Sequence, residues 1–278
     1  MINLIFYFCL LGVAPVTEPY QARYKLSYSP DSTNLKLIGS ETFVLNIKPG
    51  EASYFSTVNV LKKDSINILI KEGKMTFFDV MANPGKLLFK TRFPYFIVKE
   101  YTKQEVTVYE DLGADFNCKY PAENSLVWHI ENQQDTVSGY LCTKATTQYC
   151  GRTYEAWFAP EIPFSDGPYI FKGLPGLIVK LSDTRNHYVY TLEQFGKYSG
   201  KVTEMLTYRR NPPVSQTHQQ VFKMRELYRT DPLEASAMYR GIDMRNLKVS
   251  SNGGPYKPMR ESLPDRSWDN NPLELKEK

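Results

Sequence analysis

From Tyr20 to Tyr198 the chain repeats a two-residue alternation broken by turn signals, and that period decides its fold class. Ala22, Tyr24, Leu26 and Tyr28 alternate with Arg23, Lys25 and Ser27, so one face is apolar and the other polar. Ser29-Pro30-Asp31-Ser32 ends this run, Leu35–Ile47 follows with Phe43, Leu45 and Ile47 on one side, and Pro49-Gly50 turns the chain again. Further strands are expected at Ser53–Val60, Ile66–Lys71, Met75–Val80, Lys86–Phe93, Tyr95–Tyr101 and Glu105–Leu112. After them come Leu126–Glu131, Gly139–Thr147, Thr153–Phe158, Leu177–Ser182 and Tyr188–Phe195. Short strands separated by turns predict a mainly β protein: an antiparallel, meander-like curved sheet forming an open barrel or half-barrel. The 20 Tyr and 15 Phe, against 3 Trp, suit pleated, half-buried surfaces.

The texture changes after Tyr198. Val221, Met224, Leu227, Tyr228, Leu233 and Met238 follow a patchy helical period interrupted by Pro232, which predicts one or two short helices between Ser215 and Arg240. The tail, 249–278, carries Pro255, Pro258, Pro264 and Pro272 with Gly253-Gly254; it is expected to be extended or disordered, strapped over the sheet by Tyr256 and Trp268. Residues 20–248 then form a single domain.

Met1–Ala14 is apolar and uncharged. A run of about 13 such residues suits the core of a secretory signal better than a membrane helix, which needs roughly 20. Residues 1–19 are therefore expected to be a signal peptide, leaving an exported, periplasmic or envelope-associated chain with no transmembrane segment. Its removal leaves Cys118, Cys142 and Cys150. An odd number cannot all pair, and two readings stand: a disulfide between Cys142 and Cys150, or three buried thiols.

Gly151 to Asp183 reads GRTYEAWFAPEIPFSDGPYIFKGLPGLIVKLSD. Pro160, Pro163, Pro168 and Pro175 fix their own backbone angles and constrain their predecessors, while Gly167, Gly173 and Gly176 supply freedom between them. The segment predicts a long rigid connection between the strand ending at Trp157-Phe158 and the one beginning at Leu177.

Gly173-Leu174-Pro175-Gly176-Leu177-Ile178 is the hexapeptide that names the GLPGLI family of exported bacterial proteins. Cys142, Lys144, Ala145, Gly151-Arg152, Ala156-Trp157, Glu161-Ile162-Pro163 and Gly167-Pro168-Tyr169 resemble that family's extended pattern. Asn271-Pro272-Leu273-Glu274-Leu275 is similar to its C-terminal end, so the resemblance runs nearly full length. It implies a signal-bearing, β-rich envelope protein with no established activity. At Cys150 the family's pattern has an aromatic or aliphatic residue instead.

Two readings of the signature segment compete. In one it seals the end of the sheet; in the other it is a binding rim built on Arg152, Trp157, Glu161, Pro163, Phe164, Gly167, Pro168, Tyr169, Phe171, Gly173, Leu174, Pro175, Gly176, Leu177 and Ile178, with Phe164, Tyr169, Phe171 and Leu174 exposed. Arg152 and Glu161 are expected to form a structural ion pair. A hydrolase would need Cys142 or Ser165 beside His129 or His187, backed by Asp166 or Asp183; no G-x-S-x-G accompanies them. His129, His187 and His218 are far apart and no H-E-x-x-H or C-x-x-C occurs, so neither a metal nor another cofactor is expected. The formal net charge of +4 is too small to argue for nucleic acid. The expected function is noncatalytic binding of an apolar or lipid-like ligand, a peptide or an envelope protein. The alternatives are a periplasmic hydrolase working near the GLPGLI loop, and strand addition to an outer-membrane protein.

Overall fold

β1 (Tyr20–Tyr28) lies at the centre of the sheet and joins two meanders. On one side it pairs with β2 (Gly39–Lys48), followed by β3 (Ala52–Thr57), β4 (Tyr95–Glu100), β5 (Glu105–Asp111) and β6 (Asn117–Pro121). On the other it pairs with β11 (Tyr188–Lys197), which leads outward through β10 (Leu177–Asp183), β9 (Arg152–Ala159) and β8 (Tyr140–Tyr149) to β7 (His129–Val137). All these pairings are antiparallel. A two-residue β12 (Val214–Ser215) adds in parallel to β6, and β13 (Lys248–Val249) pairs with β14 (Lys257–Pro258) apart from the main sheet. The computed structural model describes residues 18–83, 90–112, 117–122, 126–199, 213–240 and 271–275, with short pieces between 243 and 258. Among the described residues twelve strands form one sheet with β12 and β7 at its edges, so it is open rather than closed into a barrel.

Curvature follows from one contact. β4 and β11 are four strand-steps apart, about 19 Å in a flat sheet. The phenolic oxygens of Tyr95 on β4 and Tyr190 on β11 are nevertheless 3.3 Å apart. Only a strongly curled sheet brings them together, and the concave face is lined by Tyr24, Phe43, Phe55, Tyr95 and Tyr190, all buried. Phe43 stacks on Phe55 at 5.0 Å and meets Tyr190 edge-on at 5.5 Å. Each fully buried aromatic of this kind stabilises the fold by about 1.5–3 kcal/mol.

Two hairpins turn on two residues. Tyr149 pairs with Arg152 across Cys150-Gly151, and Val137 pairs with Tyr140 across Ser138-Gly139. Both central residues have positive φ, 42° and 78° in the first and 50° and 84° in the second, matching the right-handed twist of the flanking strands.

Three expected strands, and the end of a fourth, are corrected. Val58–Lys71 is a helix, α1, which takes the end of the Ser53–Val60 run and all of Ile66–Lys71. Thr57 caps it by accepting from the Val60 amide at 3.1 Å. Phe77–Ala82, overlapping the expected strand at Met75–Val80, is a second helix, α2, held by a reciprocal capping box between Thr76 and Asp79. Of the Lys86–Phe93 run, 86–89 lies outside the described residues and the rest is not strand. The turn signals of the helices outweigh short apolar runs whose period is ambiguous. β6 was not anticipated. The C-terminal helices occur as expected, α3 (His218–Thr230) and α4 (Pro232–Arg240), divided at Pro232.

The signal segment lies outside the described residues apart from Glu18 and Pro19, as do Tyr256 and Trp268. Within the tail, Asn271, Leu273 and Glu274 are buried, and side chains and carbonyls of the sheet region take up the polar groups of 271–273.

Candidate functional site

The signature segment fills the concave face. Tyr169, Ile170, Phe171 and Leu174 are at most 2% exposed and belong to the central core, while Phe164 is half-buried. Phe171 packs against Tyr154 at 4.6 Å and Tyr149 at 5.7 Å, and Tyr169 against Tyr95 at 5.4 Å. The rim reading would have Tyr169, Phe171 and Leu174 exposed; they are buried instead, in keeping with the sealing reading, because a curled sheet this deep needs side chains from outside its strands to fill it. Trp157 on β9 is half-buried; Glu161, Pro163, Gly173 and Pro175 are exposed, and Gly167, Pro168, Gly176, Leu177 and Ile178 are buried.

A buried ion pair anchors the loop. Lys99 on β4 donates to Asp166 at 2.5 Å and to the carbonyls of Gly167 at 2.7 Å and Phe171 at 3.2 Å. Asp166 also accepts from Ser53, from Tyr101 at 2.6 Å and from the Gly167 amide at 2.7 Å. Burial works against the ammonium and pulls its pKa down, with Asp166 opposing that effect. Every strong acceptor around the ammonium belongs to the loop.

Arg152 performs the same task for the C-terminal segment. It donates to the carbonyls of Leu273 at 3.0 Å and Pro272 at 2.6 Å, to the Asn271 side chain at 2.7 Å and to Asp183 at 3.1 Å. Asn271 reaches the Ser29 carbonyl at 2.7 Å, and the Leu275 amide donates to the Cys150 carbonyl at 2.9 Å. The expected Arg152–Glu161 pair is therefore corrected. Arg152 points into the core with Tyr154, Ala156 and Phe158, whereas Glu161 lies exposed beyond the end of β9.

Where loop, tail and α3 meet, a polar cluster forms. Glu274 accepts from Tyr149 at 3.0 Å and from Tyr169 on one carboxylate oxygen, and on the other it meets Arg225 at 2.5 Å and His218 at 3.1 Å. Arg225 also grips Glu110 through contacts of 2.9, 2.9 and 2.5 Å and donates to Tyr120. Burial pushes the Glu274 carboxyl up, but the Arg225 charge and the His218 and Tyr169 hydrogen bonds outweigh it and hold it well below the usual carboxylate range. Cys150 closes the group: its sulfur, a His218 ring nitrogen and a Glu274 oxygen all lie within 4.8 Å of one another.

The hydrolase residues do not assemble. Cys142 faces the core from β8, and burial pushes its thiol up to about 11, away from the thiolate a nucleophile needs. Ser165 and His129 are exposed, while Asp166 and Asp183 are committed to Lys99 and Arg152. The Cys142–Cys150 disulfide is also corrected: among the described residues Cys118, Cys142 and Cys150 are buried thiols that form no disulfide. Eight residues of extended strand span about 26 Å, whereas a disulfide needs Cα atoms within about 7 Å.

Sequence reading missed Lys99 and Glu110 as structural anchors and gave Arg152 the wrong partner, although a signal was present. Each sits at a core-facing strand position: Lys99 with Tyr95 and Ile97, Glu110 with Val106 and Val108, and Arg152 with Tyr154 and Ala156. A charge in that parity must find a buried partner.

A family model described as "Protein of unknown function (Porph_ging)" matches residues 148–180, from the end of β8 through the loop into β10. No curated protein matches the chain. Two crystal structures of PNGF-II, in C2 and P21 space groups, are similar in fold. They align with TM-scores of 0.51 and 0.51 at 14% and 15% identity, covering 76% of this chain in each case. The chain spans only about a third of PNGF-II's length, 33% and 34%. At that identity the likeness is one of fold.

Proposed function

We propose that the chain is a GLPGLI-family envelope protein, exported by its N-terminal segment, that works by binding a protein partner rather than by catalysis. The family reading is supported by the hexapeptide at Gly173–Ile178 lying within the matched segment. The export reading rests on the apolar run Met1–Ala14; among the described residues no helix is long and apolar enough to cross a membrane.

The observation that carries the binding reading is the apolar surface of the α1–α2 arm. Phe77, Phe78 and Met81 are 65%, 83% and 51% exposed. Two aromatics and a methionine side by side have the composition of an interface hot spot, and water is a poor environment for them. A lipid-like ligand finds less support. The concave face is occupied by the protein's own loop, and a groove of about 430 Å³ on the outer face is lined by Arg23, Lys25, Glu41, Lys62 and Glu193 among others, a polar setting. Strand addition at β7 is discouraged by the break in register between Ile130 and Gln134 and by Glu131 and Asp135 along the edge.

The test is site-specific photo-crosslinking from position 78 in the native envelope, paired with Phe78→Asp. The expected outcome is a discrete protein adduct, and at least a tenfold loss of copurification of that protein with Phe78→Asp, at unchanged melting temperature. Crosslinks to lipid alone, or a partner retained equally by the variant, would overturn the reading.

A further inference from the structure

The cluster of Cys150, His218 and Glu274 lies outside the arm, and its chemistry is separate from docking. Cys150 comes from the β8–β9 turn, His218 from the first residue of α3 and Glu274 from the C-terminal segment, so three remote stretches converge on one point. We propose that these three side chains form a binding site for one borderline-soft divalent cation of the zinc class.

Geometry carries the proposal. In a tetrahedral zinc site with bonds of about 2.0–2.3 Å, neighbouring ligand atoms lie about 3.3–3.6 Å apart. His218 Nε2 and Glu274 Oε2 are 3.1 Å apart, and the sulfur is within 4.8 Å of its two partners, so a shift of about an ångström or less brings all three donors onto one ion. A thiolate, an imidazole and one carboxylate select zinc-like ions over calcium and magnesium, which prefer all-oxygen shells.

The surroundings match. Tyr149 and Tyr169 both donate to the second oxygen of Glu274, which fixes the carboxylate's orientation as outer partners of metal ligands do. Glu110, Glu274 and Arg225 together carry one net negative charge, and a Cys150 thiolate makes it two, which a divalent cation neutralises. Arg225 contacts the same Glu274 oxygen at 2.5 Å, but its contacts to Glu110 hold it in place when that oxygen turns to a metal. Cys150 is the first central residue of the β8–β9 turn, where its φ of 42° is set by the hairpin, and its sulfur lies at the cluster. The side chains of His218 and Arg225 are 18% and 25% exposed, so water or a small anion can reach the cluster to complete the ion's shell.

The experiment is a titration of the reduced, chelator-stripped chain with Co²⁺ and then Zn²⁺. One equivalent of Co²⁺ should produce thiolate-to-cobalt charge-transfer absorption that Zn²⁺ abolishes by displacement. Cys150→Ser should lose the band, and His218→Ala should weaken Zn²⁺ binding by at least about tenfold in calorimetry. Absence of the band in the wild type, its survival in Cys150→Ser, or unchanged Zn²⁺ affinity in His218→Ala would each overturn the site. His218 is partly exposed, so its variant remains an arbiter if Cys150→Ser fails to fold.

Discussion

At the scale of single residues, Gly176 shows how tightly the signature segment is fitted. Its φ is +150°, and a Cβ there would sit 2.3 Å from the Ala159 carbonyl oxygen and 2.9 Å from Pro160 Cα, both backbone atoms that cannot move aside cheaply. Gly139 also has positive φ, at +84°, but nothing lies within 4 Å of its would-be Cβ. Gly176→Ala is therefore expected to cost about 3 kcal/mol in urea unfolding, and Gly139→Ala about 1 kcal/mol. Equal losses would show that only backbone conformation matters at position 176. The Gly-Leu-Pro-Gly order was legible as a rigid connection. That its second glycine is needed for close approach to Ala159 was not, since the neighbour comes from the far end of the loop.

At the scale of elements, the C-terminal segment behaves as a strand-like strap whose bonds are made by side chains of the sheet. Arg152 alone contributes three contacts to residues 271–273, and Tyr188 and Tyr154 donate to the Asn271 and Leu273 carbonyls at 2.5 and 3.1 Å. Deleting 271–278 leaves Arg152 with Asp183 and takes Glu274 away from Arg225. The expected loss is about 3–5 kcal/mol, the range for breaking buried charge pairs, read from denaturant midpoints and partly restored by an Asn-Pro-Leu-Glu-Leu peptide in trans. A stability unchanged by the deletion would rule out this role. Elsewhere the elements separate by the length of their signal. β1 and β11 carry long alternations and were legible. α1 and α2 were read as strands because Ile66–Lys71 and Met75–Val80 are short apolar runs, and the caps at Thr57 and Thr76 decide between the two periods only when seen in place.

At the scale of the molecule, acid stability should track the polar cluster. The folded state holds the Glu274 carboxyl below its unfolded value of about 4.3, so the unfolded chain binds the extra proton. Its stabilising contribution is complete above that value and is lost as pH falls below it toward the folded pKa. Stability measured by urea unfolding should therefore decline below about pH 4.5. Glu274→Gln should be less stable at neutral pH and show a shallower acid limb. An identical acid limb in wild type and variant would assign the dependence to other carboxylates.

The sequence alone determined the fold class, the division of the C-terminal helices at Pro232 and the place of the rigid connection, because period-two alternation, proline and glycine act on their own neighbours in the chain. Tertiary structure decided which way the connection faces, that Arg152 serves the tail rather than Glu161, and that Cys150, His218 and Glu274 share one point. Those outcomes depend on the curl of the sheet and on the requirement that a buried charge find a partner. Curl and partner choice are settled between segments far apart in the chain, such as Tyr95 and Tyr190, Arg152 and Leu273 or Tyr149 and Glu274, where local spacing carries no information.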